Sequence, residues 1–153
     1  MDANKLWMMA TDCLRHFGLE QQGWKLGWNN RKSSLGCCRG GRRVIELSRP
    51  YAVLNNEDEM LDTVLHEIAH AIVGTGHGHD LRWKKYAQFI GAKPQTCANG
   101  LELVSPEGKW QAVCVNCNKT HYAHRAIRKS YRCVCLRGTP YDRSKSLVYK
   151  KVL

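Results

Sequence analysis

The sequence predicts a mixed α+β chain in two parts. Residues 1–106 make a larger unit with an N-terminal helix, a short antiparallel sheet and two further helices, and residues 107–153 make a small β module. Three observations predict this. Apolar residues recur at helical spacing near the N-terminus and again on both sides of a Gly-rich turn at 74–78. Residues 23–49 alternate and break at Asn and Gly, as short strands do. Beyond residue 106, two close cysteine pairs, Cys114/Cys117 and Cys133/Cys135, sit among short alternating segments.

In order, residues 3–18 read as an amphipathic helix with Leu6, Ala10, Cys13, Leu14 and Phe17 on one stripe. Gly18 stops it. Cys13 is expected as a core thiol. Trp24, Leu26 and Trp28 alternate with Lys25 and Gly27, and Asn29-Asn30 signals a turn. A weaker strand follows at Ser33–Cys38, then a turn at Arg39–Arg42, then a strand with Val44, Ile45 and Leu47 that Pro50 ends. Cys37 and Cys38 are neighbours on a strand, point to opposite faces and make a poor pair of ligands to one metal. Asn56 caps a helix that runs to about Val73, with Glu59 placed to reach back. Its expected buried stripe is Leu61, Val64, Leu65, Ile68 and Ile72. A further helix runs from Asp80 to Ile90, with Leu81, Tyr86, Phe89 and Ile90 as its apolar candidates. A linker follows, holding a short strand at Leu101–Val104.

A hydrophobic content of 43% is enough for a core, and no run of eighteen apolar residues suggests a membrane span. The first seventeen residues mix charges into the apolar pattern and do not read as a signal peptide. A reducing, cytoplasmic location is therefore expected: nucleoid-associated in a bacterium, host cytoplasm if the source is viral. There the eight cysteines read as metal ligands or thiols before disulfides. Charge is uneven. Residues 1–106 carry 13 Lys/Arg against 11 Asp/Glu, whereas residues 107–153 carry 11 against 2. So basic a module suggests a polyanionic partner, most often nucleic acid.

Two metal sites are suggested. His66-Glu67-Ile68-Ala69-His70 puts two imidazoles on one helix face, with Glu67 placed as a general base. Four of the seven histidines lie between residues 66 and 79. A catalytic zinc needs a third protein ligand and an open position. The metzincin pattern would ask for Gly at 73 and His at 76, where Val73 and Gly76 stand. The third ligand must come from after the turn, as His77 or His79. The second site is a hairpin-built zinc ribbon on Cys114, Cys117, Cys133 and Cys135, since thiolate sets suit structural zinc. His121 and His124 lie between the pairs and are the substitutes to consider.

Ile45-Glu-Leu-Ser48, then His66-Glu-Ile-Ala-His70, then Gly78-His79-Asp-Leu-Arg-Trp83 resemble the SprT-like (Spartan-type) zinc metalloproteases. Trp24, Trp28, Arg31, Gly36 and Cys37 resemble that family's N-terminal strand region, and bacterial-type members also end in a zinc ribbon. The resemblance implies a zincin-like minimal metalloprotease domain followed by the ribbon. Family members place a His four residues before a Trp or Phe, which selects His79 with Trp83 over His77 with Leu81. One departure is the tighter Cys133-x-Cys135 pair where many ribbons use C-x-x-C.

The expectation is one catalytic zinc on His66, His70 and His79, one structural zinc on the four cysteines, and Glu67 as the catalytic base of an endopeptidase. By family, the substrates implied are proteins bound or crosslinked to DNA, with DNA repair as the setting. Lys119, Arg125, Arg128, Lys129 and Arg132, interleaved with Trp110, Tyr122, Tyr131 and Tyr141, are the expected contacts to single-stranded or junction DNA. A monomer with no membrane partner is expected. The rival readings are a non-catalytic zinc-ribbon DNA-binding protein and a zinc peptidase independent of DNA.

Overall fold

A computed structural model of the chain describes residues 2–95 and 103–152. It forms two compact units, Met1–Ala98 and Asn99–Leu153. No described helix is long and apolar enough to cross a membrane.

In the first unit, α1 (Ala3–His16) starts at Asp2, whose carboxylate accepts the Asn4 N–H. It buries Leu6, Ala10 and Leu14, each four residues from the last. Cys13 is only partly buried against the core edge. Three strands follow: β1 (Lys25–Asn29), β2 (Gly36–Arg39) and β3 (Val44–Ser48). Their order is β1-β3-β2, with β2 antiparallel and β1 parallel to β3. This corrects the all-antiparallel expectation. Ile45 and Leu47 of β3 are fully buried, so the most apolar strand takes the centre and its neighbours take the edges. The β1–β2 connection passes the end of β3, where the Ser48 hydroxyl donates to the Arg31 carbonyl at 2.6 Å.

Ser48 also caps α2 (Arg49–Leu54), a helix absent from the sequence expectation. The signal was present: Ser followed by a Pro in the first turn favours helix initiation. Next comes α3 (Glu57–Val73). The Asn56 side chain accepts the Glu59 N–H at 2.9 Å, as expected of a cap. The buried face is Met60, Thr63, Val64, Glu67, Ile68, Ala69 and Val73. Leu61, Leu65 and Ile72 are half-buried, so the stripe is rotated from the one expected. Gly74 ends α3 with φ 99°, a backbone that a side chain would strain. Helix α4 (Leu81–Phe89) follows Asp80, whose carboxylate accepts the Trp83 N–H at 2.9 Å. Trp83 and Ala87 are its buried residues, whereas Leu81 and Phe89 are exposed.

The second unit is a small β module. Strands β4 (Trp110–Val113) and β5 (Thr120–Ala123) pair antiparallel around the turn that carries Cys114 and Cys117. A second small pair joins β6 (Tyr131–Arg132) to β7 (Ser146–Leu147), and β8 (Lys150–Lys151) adds to β4. Leu101 and Glu102 of the expected strand lie outside the described residues, and Leu103 and Val104 are not in a strand.

Candidate metal centres

His66 and His70, one turn apart on α3, present their Nε2 atoms to the same point. The 74–78 turn brings His79 back to it. Its Nε2 lies 3.1 Å from that of His70 and 3.1 Å from that of His66. Three nitrogens each ~2.0–2.1 Å from one ion would be about this far apart. Burial, then the neighbouring histidines, pulls His66 down to about 4; burial and His79 do the same for His70. His79 is lowered as well, chiefly by burial. All three are therefore neutral near pH 7, with lone pairs available, which is the protonation state a metal requires. Trp83, fully buried, backs all three rings at centroid distances of 4.6, 5.0 and 4.6 Å. The residues present fit a metal with three imidazole ligands.

His77 stands outside this group. Its Nδ1 meets the Asp80 carboxylate at 2.8 Å, so it braces the first turn of α4. The residue beside His66 behaves differently. Glu67 is buried, and burial pushes its carboxyl up to about 7, held back by the Cys38 N–H that donates to it. Leu35 accepts the Ser48 N–H. In the antiparallel ladder, Gly36 and Cys38 therefore turn their backbone groups away from β3. That turn brings the Cys38 N–H to Glu67.

Gly36 is needed for the same contact. A Cβ there would lie 2.9 Å from Glu67 Cγ and Oε1 and 3.1 Å from Thr63 Cγ2. Gly36→Ala is expected to cost ~1–3 kcal/mol by overpacking and to displace Glu67 while leaving the three histidines loaded. A lower melting temperature at unchanged metal content checks this; an unchanged melt contradicts it.

In the second unit, Cys114 and Cys135 approach to 3.6 Å between sulfurs, as do Cys117 and Cys133. All four Sγ atoms lie within 4.8 Å of one another. A tetrahedral ion with Zn–S bonds of ~2.3 Å would hold its sulfurs ~3.8 Å apart. Burial raises the Cys114 thiol, but the N–H groups of Cys117 and Asn116 and the neighbouring Cys135 and Cys117 thiols together bring the group down to about 7. The Cys133–Cys135 pair keeps its tight spacing by closing a single 3₁₀ turn, Val134–Leu136. His121 lies beside this set, with Nε2 3.2 Å from Cys133 Sγ.

The five basic residues singled out in the sequence divide. Arg125, Arg128 and Lys129 are exposed. Lys119 Nζ donates to the Leu103 carbonyl at 3.1 Å. Arg132 donates to Leu136 O at 3.0 Å and Thr139 Oγ1 at 2.6 Å, and its guanidinium lies 5.8 Å from the Tyr141 ring centre. It ties the 136–141 loop to β6, a role invisible to a reading of charge alone.

Comparison with known proteins agrees with this geometry. The SprT-like family model matches residues 6–102. The chain belongs to the SprT-like family. It is 34% identical over 125 residues to Germ cell nuclear acidic protein of Drosophila melanogaster, covering 70% of this chain but 12% of that protein. It is 29% identical to Protein SprT-like of Oceanobacillus iheyensis, covering 75% of this chain and 79% of the relative. Against Protein SprT-like of Bacillus subtilis the figures are 27%, 65% and 72%. The SprT-like chain thus spans a small part of the fly protein and most of the two bacterial ones.

Proposed function

We propose that this SprT-like chain is a zinc-dependent endopeptidase acting on proteins bound or crosslinked to DNA, which it reaches through its basic cysteine-rich module. The observation that carries the peptidase reading is the convergence of His66, His70 and His79 Nε2 beside buried Glu67. Zinc held by the three histidines would polarise a peptide carbonyl and make a water a nucleophile near pH 7. Glu67 does the proton work. A carboxyl near 7 can take a proton from the attacking water at Oε and return it to the leaving nitrogen. The Cys38 N–H fixes the carboxylate for both transfers, and Trp83 keeps the imidazole rings from turning away.

The DNA-directed part rests on charge. The second unit carries exposed Arg125, Arg128 and Lys129, with Tyr131 and Tyr141 exposed nearby in sequence. Cations next to aromatic rings suit phosphates and unpaired bases. The combined variant Arg125→Glu, Arg128→Glu, Lys129→Glu is expected to weaken binding of oligo-dT by at least about tenfold at moderate salt and to flatten its salt dependence. Unchanged affinity would remove these residues from the DNA surface. The functional test is cleavage of a DNA-bound protein with and without DNA. Faster cleavage with DNA is expected. Equal rates would favour a peptidase indifferent to DNA, and no cleavage would favour a non-catalytic binding protein.

A further inference from the structure

Helix α4 carries an apolar stripe that the core does not use. Trp83 and Ala87 pack with Ala69, Val73 and Ala92. Leu81 is 68% exposed and Phe89 83% exposed. Positions 81, 85 and 89 recur at four-residue spacing, with 82 beside them, on a face turned away from 83 and 87. With Tyr86 and the end of α3, this face lines an open groove of about 740 Å³. Its lining includes Arg82 and Lys85 and no carboxylate. Tyr86 and Phe89 stand 6.0 Å apart between ring centres, tilted by 48°.

Charge decides the occupant. A second copy laid on this groove would bring two Arg82 and two Lys85 side chains together without counter-charge, which opposes self-association. An anionic partner with flat apolar faces satisfies both halves of the lining. Unpaired DNA has both, with phosphates for the cations and bases for the rings. We propose that this face of α4 binds single-stranded DNA, with bases stacked on Phe89 and Tyr86 and phosphates held by Arg82 and Lys85. The proposal rests on the DNA-directed reading above and adds a second contact, on the unit that carries the histidines.

The test is fluorescence anisotropy of the full chain with labelled oligo-dT and with a duplex. Phe89→Ala is expected to weaken oligo-dT binding about tenfold and leave duplex binding unchanged. Arg82→Glu with Lys85→Glu is expected to weaken both and lower the salt slope. Irradiation with an oligo-dT carrying 5-iododeoxyuridine is expected to modify Tyr86 or Phe89 in the tryptic peptide that spans residues 86–109. If the α4 variants bind oligo-dT like wild type while the Arg125/Arg128/Lys129 variant loses it, the groove is not a DNA site and the DNA-directed function stands. If wild type binds no DNA, both fall. A dimer abolished by Phe89→Ala, or an acidic peptide bound in preference to oligo-dT, assigns the groove to another occupant and overturns the proposal.

Discussion

Glu67→Gln is expected to lower peptide cleavage by roughly 10²–10⁴-fold, the range that a positioned general base supplies, while the chain keeps its metal. The substitution preserves volume, so the contact with Gly36 survives. The amide cannot take a proton, and the Cys38 N–H still has an oxygen to meet. Burial raises the carboxyl, which favours its holding a proton between the two transfers; the amide cannot hold one. Steady-state cleavage of casein and metal content, measured on the same preparation, check the prediction. Turnover within about twofold of wild type would remove Glu67 from the mechanism.

His79→Ala is expected to abolish cleavage by a different route. The three Nε2 atoms are brought together by two elements, α3 and the turn before α4, and only His79 bridges them. Without it, two imidazoles remain, fewer than a catalytic zinc requires. Zinc that binds only the folded chain stabilises it by mass action. Wild type should therefore melt several degrees higher with zinc than after chelation, and His79→Ala should lose the share due to the first unit. His77→Ala is the contrast. It removes the contact to Asp80 and should keep both metal and zinc-dependent melting. If the two variants behave alike, the assignment of His79 over His77 is wrong.

Much of this site was legible because its signals are local. Asn56 marks the start of α3, the four-residue spacing places His66 and His70 on one face, and the two cysteine pairs announce a clustered set. The residues alone left His77 and His79 open; the family resemblance, which pairs a His with a Trp or Phe four residues on, selected His79, and the Trp83 ring backs all three histidines. What was not legible is non-local. Strand order β1-β3-β2 depends on which strand is most buried, and nothing in residues 25–29 states that they run parallel to 44–48. Gly36 and Cys38 shape the surroundings of Glu67 across 29 or more residues of chain. On α4, apolar residue type pointed to Leu81 and Phe89 as core, yet burial follows the face set by Trp83 and Ala87. The bonds from Arg132 to Leu136 O and Thr139 Oγ1, which tie down its loop, join residues too irregularly spaced for the sequence to announce.

His66, His70 and His79 could hold one metal ion and the four cysteines a second, distinct one. Elemental analysis of purified wild type and His79→Ala, each as metal atoms per chain, tests this most directly. Two zinc atoms in wild type and one in His79→Ala are predicted. A single zinc in wild type, or two retained in His79→Ala, would contradict it.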